Sequence, residues 1–146
     1  MIPPFRRDGN LPSGVHLATW SEFADHFGAT PYRRGMLGGL LKALTCLRNA
    51  GCRTAYVDGS FVTAKDVPDD FDACWDPIGV NLGLLHNALT TFTDGRALQK
   101  LKYRGELFPL DSDADRNGTT FLRFFQTDKD SGRTKGIIMI NLGSLP

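Results

Sequence analysis

The feature that most constrains this chain is a pair of aspartates, Asp70 and Asp72, set two positions apart at the start of an otherwise apolar stretch, Phe71-Asp72-Ala73-Cys74-Trp75. Alternate residues of a β-strand face the same side. A strand over Asp70 to Trp75 therefore projects both carboxylates together and turns Phe71 and Ala73 the other way. Neighbouring carboxylates repel each other unless a cation joins them, and a hard divalent ion such as Mg²⁺ (or Mn²⁺) takes oxygen ligands of this kind. Upstream, the apolar run Ala55-Tyr56-Val57 leads into Asp58-Gly59-Ser60. Gly59 allows close approach of the backbone to a ligand, and Ser60 adds a hydroxyl and an N–H, so the turn suits a phosphate. A phosphate-holding turn followed by a metal-binding carboxylate pair is the layout of a phosphoryl- or nucleotidyl-transfer site. An Asp-x-Asp alone reads more simply as two surface aspartates; the helix, strand and turn before it favour a site.

Those preceding elements follow from periodicity and punctuation. Thr19 with Glu22 three residues on has the form of a capping box, and Trp20, Phe23 and Phe27 recur at helical spacing before Gly28. Thr30-Pro31 opens a longer helix, predicted from about Pro31 to Ala50, with Met36, Leu37, Leu40, Leu41, Leu44 and Leu47 as its apolar stripe and Gly51 as its stop. Gly35, Gly38 and Gly39 weaken that helix by about 1 kcal/mol each relative to Ala, which suits close packing against another element. Strands are predicted at Cys52 to Val57 and Asp70 to Trp75, with a helical turn near Phe61 to Ala64. A short helix is expected over Asn81 to Leu89. A second one, Asp94 to Tyr103, places Arg96, Lys100 and Arg104 on one face. Thr119 to Gln126 and Lys135 to Leu142 read as a β-hairpin around Asp128 to Gly132. Residues 1–14, rich in Pro, Gly and Arg, read as an extended or mobile arm. The fold class expected is α/β (α+β): one domain over residues 1–146, with a small mixed sheet backed by helices.

Gly59-Ser60, nine intervening residues, then Asp70-Phe71-Asp72 resembles the signature of the polymerase-β-like nucleotidyltransferase superfamily. The small size is similar to the minimal nucleotidyltransferases of toxin–antitoxin pairs. The resemblance covers Arg33 to Asp76 and, more weakly, the last strand. It implies that Asp70 and Asp72 hold Mg²⁺ or Mn²⁺ on the triphosphate of ATP or another NTP, while Gly59 and Ser60 cradle phosphates. Lys65, Arg96 and Lys100 are the cations available to the nucleotide. The acceptor of the NMP would be a protein side chain or an RNA end, and a toxin, an antitoxin or tRNA would be the partner. The family places a third carboxylate on a late strand, where the best match is Asn141, after Gly136 to Ile140. An amide is a weak ligand and no base. Three explanations stay open: a non-catalytic relative serving as an antitoxin or regulatory module, a third acid elsewhere with Glu106 as first candidate, or an enzyme silenced at this position.

Composition excludes more than it proposes. A formal net charge of +1 gives no global pull on nucleic acid. The odd number of cysteines, Cys46, Cys52 and Cys74, lies in apolar surroundings with no Cys-x-x-Cys, against both a disulfide framework and a zinc site. No stretch reaches transmembrane length and no apolar leader is visible, so a cytoplasmic location without a membrane role is expected. Asp111, Asp113 and Asp115 alternate but lack the Gly and closing Glu of a calcium loop. His16, His26 and His86 have no sequence partner and read as packing or surface residues.

Overall fold

The computed structural model describes all 146 residues. Five strands form one mixed sheet: β1 (Gly14–Ala18), β2 (Thr54–Asp58), β3 (Phe71–Trp75), β4 (Gly105–Pro109) and β5 (Gly136–Asn141). Their spatial order is β1-β5-β2-β3-β4. The central pairs β2–β3 and β2–β5 are antiparallel, and the outer pairs β1–β5 and β3–β4 are parallel. The α/β class expected from the sequence is the class observed, and no helix is long and apolar enough to cross a membrane.

Three helices cover one face. Helix α1 (Trp20–Phe27) carries the expected capping box between Thr19 and Glu22, and its Trp20, Phe23 and Phe27 are buried. Helix α2 (Pro31–Asn49) starts at Thr30, whose hydroxyl accepts the Arg33 N–H. Helix α3 (Thr93–Tyr103) closes this layer; its residues Asp94, Gly95 and Arg96 take left-handed backbone angles before the helix becomes regular. The face they cover joins Ala55, Val57, Phe71, Ala73, Trp75, Leu107, Ile138 and Ile140 to the helix stripes in a cluster of 27 buried residues. The opposite face holds a hydrophobic cluster of only four buried residues, Cys74, Phe108, Phe125 and Ile137. Burial of apolar area drives folding, so the helical face carries most of the stability and the other is left with room for a site.

Both sheet edges are managed differently. At β4 the buried Gln99 amide of α3 donates to the Leu107 carbonyl and accepts the Leu107 N–H, which occupies the backbone groups of that edge. At β1 the edge is open, and Val15 and Leu17 are exposed.

Several expectations are corrected. The expected β-hairpin is reduced to one antiparallel bridge, Thr127 with Thr134, around the Asp128–Gly132 turn: residues Phe121–Phe124 form a short helix, α4, and β5 inserts between β1 and β2. The aromatic content of Phe121-Leu122-Arg123-Phe124-Phe125 suits a strand locally, but Phe121 and Phe125 reach the Phe108 side of the sheet only at helical spacing. The stretch Gly105 to Pro109, whose pattern suggests only the end of the Asp94–Tyr103 helix, is strand β4, and the sequence carries no signal for β1. Residues Asn81 to Leu89 form two 3-10 turns, with Leu89 buried but Leu82 exposed. The N-terminal arm has no regular structure yet is tied down: Leu11 is fully buried, its carbonyl accepts the Gly136 N–H, and Gly9 accepts the Ala64 N–H.

The α2 glycines differ in kind. A Cβ on Gly39 would run into the Tyr103 backbone carbonyl, whereas one on Gly38 would meet nothing within 4 Å. Gly38→Ala is therefore expected to stabilise the protein by up to about 1 kcal/mol. Gly39→Ala is expected to destabilise it by about 1–3 kcal/mol, because α2 and the end of α3 must separate. Paired urea melts of the two variants check the opposite signs.

Candidate functional site: a carboxylate row beside a Gly-Ser turn

Strand register brings the acids together. Asp58 on β2 stands opposite Asp72 on β3, and Glu106 on β4 stands opposite Asp72 on its other side. Cross-strand partners share a face, so Asp58, Asp72 and Glu106 form a row across three strands, on the face of Cys74 and Phe108. Asp70 precedes β3 by one residue and lines the same cleft as Asp72.

The turn after β2 is built against this row. Gly59 has φ 88° and ψ −177°, a region essentially reserved for glycine. A Cβ there would lie 2.8 Å from the Asp72 nitrogen and 3.2 Å from Asp72 Oδ2. Ser60 Oγ donates to the Asp70 carbonyl at 3.3 Å. Gly59, Ser60, Asp70 and Asp72 are thus assembled as the sequence spacing suggests. A single 3-10 turn, Ser60–Val62, follows.

Like charges in one row are costly, and cations meet them at the two ends. Lys135 Nζ lies 3.1 Å from the buried Asp58. Lys100 and Arg96 lie 3.0 and 3.3 Å from Glu106. Asp72, in the middle, has no such partner. Burial, followed by repulsion from Asp70, Asp58 and Glu106, pushes its carboxyl up to about 7. Asp70 is also raised, by burial and then by Glu106, with Lys100 opposing. Asp58 is raised because burial outweighs the Lys135 contact.

The cleft in front of the row has a volume of about 610 Å³ and is lined by seven aspartates against three lysines, within the size range of small-molecule sites. An anion enters such a surface only with cations. No three acidic, histidine or cysteine side chains converge as a ready-made metal cage. Mg²⁺, however, is usually bound by one or two carboxylates together with substrate phosphates rather than by an all-protein cage. Asp70 and Asp72, both facing the cleft and short of positive charge, fit that mode.

The remaining site candidates separate. Asn141 is a correction: it pairs with Thr54, at the opposite end of β2 from Asp58, roughly 13 Å away along the strand. Its side chain accepts the Gly143 N–H and caps the last 3-10 turn. The acids that topology places beside Asp72 are Asp58 on one side and Glu106 on the other. Lys65 lies on the cleft rim in an exposed pair with Asp69. Arg96 and Lys100 reach the row from the β4 side and do not line the cleft. His16 contacts the Pro12 carbonyl, His86 Nδ1 accepts the Ala88 N–H, and His26 packs on Phe5 and Phe27, so all three have structural roles. Asp76 caps its turn through the Ile78 N–H.

Sequence reasoning missed four residues. The sequence suggests for Asp58 only a brace to the turn and for Lys135 only the start of a strand. Arg33 and Tyr32, in the first turn of α2, hold the connection between the Gly-Ser turn and β3. The Arg33 guanidinium is buried and donates to the carbonyls of Phe27, Phe61, Thr63 and Lys65, at 2.6–3.3 Å. Tyr32 donates to the Pro68 carbonyl at 2.8 Å. A signal existed: Arg33 falls in the helical register of Met36, Leu37 and Leu40, where a lone charge needs a reason.

Two outcomes follow from this geometry. Arg33→Met keeps the stem but leaves four carbonyls without their donor; it is expected to cost about 3 kcal/mol or more and to open residues 61–68 to proteolysis before the rest of the chain. Urea melts and limited proteolysis measure both. For Asp72 the folded carboxyl binds its proton more tightly than the unfolded one, so its contribution to stability is complete below about pH 4 and is lost as pH rises through about 7. Asp72→Asn removes that loss. The variant is expected to be more stable than the parent at pH 8 by about 1–3 kcal/mol, with the gap closing towards pH 4, as read by melting temperature across pH in the presence of a chelator.

No curated protein and no solved structure matches the chain. Residues 3–141, from the packed N-terminal arm through the last strand, match the family model of DUF6932, a family of unknown function, and the chain belongs to that family.

Proposed function

We propose that this protein is a metal-dependent nucleotidyltransferase-like enzyme that transfers NMP from an NTP such as ATP to a hydroxyl of a protein or RNA acceptor. The observation that carries the reading is the contact of Gly59 with Asp72, which sets the Gly-Ser turn directly against a carboxylate row facing an acidic cleft. Bound Mg²⁺ would supply charge to the triphosphate and the leaving pyrophosphate. Asp70 and Asp72 would hold it, and Gly59, whose close approach to Asp72 no side chain allows, would set the turn beside it. An acceptor oxygen would form its bond to the α-phosphorus as the bond from that phosphorus to the bridging oxygen of pyrophosphate breaks. The acceptor's proton would pass to a carboxylate that lines the cleft, where Asp58 is the member of the row not assigned to the metal.

A second reading, a nucleotide-binding module without transfer that acts as an antitoxin or regulatory partner, draws on one observation: Glu106 is already engaged by Arg96 and Lys100. One experiment separates the two. With α-labelled ATP, Mg²⁺ and a lysate or tRNA acceptor, label transfer is expected and should fall at least about 100-fold in Asp70→Ala and in Asp72→Ala. A Mg²⁺-dependent thermal shift by ATP without transfer favours the module. Absence of any shift by ATP removes both readings.

A further inference from the structure

We propose that Phe124 is the platform on which the base of the bound nucleotide stacks, an assignment that rests on the nucleotide reading above. The cleft is lined by 17 residues, of which two are apolar, and both are aromatic: Phe124 and Phe125. They are not equivalent. Phe125 is buried and belongs to the cluster of Phe108 and Phe121 on the sheet. Phe121 stacks flat on Phe108 with ring centres 4.0 Å apart. Phe121 and Phe125 are four residues apart and so share the inward side of α4. Phe124 is rotated away from that side, with 42% of its surface exposed. Its one aromatic neighbour is Phe125, tilted at 6.1 Å.

The cleft thus has two chemically distinct parts. One is the Gly-Ser turn with Asp70 and Asp72, which suits a metal-bound polyphosphate. The other is a single exposed aromatic ring in an otherwise polar wall. A polyphosphate alone gives that ring nothing to contact, whereas a nucleotide base offers a planar π-face. Aromatic stacking is also tolerant of base identity. Phe124 therefore favours a nucleotide over an inorganic or sugar phosphate without selecting strongly among bases.

The test compares two probes by titration calorimetry, Mg-ATP and Mg-tripolyphosphate. Phe124→Ala is expected to weaken Mg-ATP by about tenfold, within the range found when stacking aromatics are truncated, and to leave Mg-tripolyphosphate within about twofold. Phe124→Leu, which keeps apolar bulk without a π-face, should share the ATP loss. Phe124→Trp should keep ATP affinity and add an emission change with Mg-ATP that Mg-tripolyphosphate does not give. Equal affinity of both ligands for the Ala and Leu variants and the parent overturns the platform while leaving the nucleotide reading in place. Equal weakening of both ligands in the Ala and Leu variants also overturns it, since the ring would then act only as cleft wall. If neither probe binds the parent protein, the platform and the nucleotide reading fall together.

Discussion

The structure around the site depends on one electrostatic problem: three carboxylates, Asp58, Asp72 and Glu106, at the same level of three adjacent strands. Directly opposed like charges destabilise a sheet. The chain compensates the two ends with cations brought from distant segments, Lys135 ahead of β5 and Arg96 with Lys100 on α3. It leaves the centre uncompensated. Asp72 therefore carries the strain of the row, and its carboxyl holds a proton up to about pH 7. A divalent cation shared with Asp70 would relieve the same repulsion at the one place the protein does not.

Holding such a row requires a rigid frame, and the two faces of the sheet divide the work. The helical face buries a continuous apolar core, while the acid face keeps only a small aromatic cluster beside the cleft. Arg33 is a main link between them. Rooted in α2, it collects carbonyls from the end of α1 and from the connection that leads out of the Gly-Ser turn. Buried carbonyls without donors cost free energy, so the guanidinium fixes this path as well as filling space. Gly59 then brings the turn within van der Waals reach of Asp72, an approach no side chain allows.

What the sequence made legible was local. The capping box at Thr19, the Thr30-Pro31 start, the α2 stripe, the two central strands and the Gly-Ser to Asp-x-Asp spacing all depend on residues within a few positions of one another, and all are present. What was not legible depended on pairing across long separations. β1 has its apolar Val15 and Leu17 pointing outward, so its pattern does not announce a buried face. β4, five residues long, begins one residue after α3 and is defined by its parallel partner β3 and by Gln99. β5 resembles one arm of a hairpin until β1 is known to take its other side. The misplaced third acid has the same origin. Asn141 and Glu106 both lie near the ends of short strands, and only the strand order places Glu106, with Asp58, next to Asp72.

That decision bears on whether the site is competent. An Asn in place of an acid would argue for a degenerate scaffold, but Asn141 caps a turn at the far end of β2 and has no part in the row. The case for degeneracy then reduces to the occupation of Glu106 by Arg96 and Lys100. Lys100 is about half exposed, with 47% of its side chain in solvent, and Arg96 keeps 36%. Glu106 itself keeps only 13%, yet both cations are open enough for a charged phosphate to compete for them through charge-assisted hydrogen bonds. Moreover, the Arg96 Nε is buried without a hydrogen-bond partner, so its present arrangement is not fully satisfied. The contacts that close the row in the free protein run to cations that a ligand can reach, whereas the backbone that aligns the acids is held by the core.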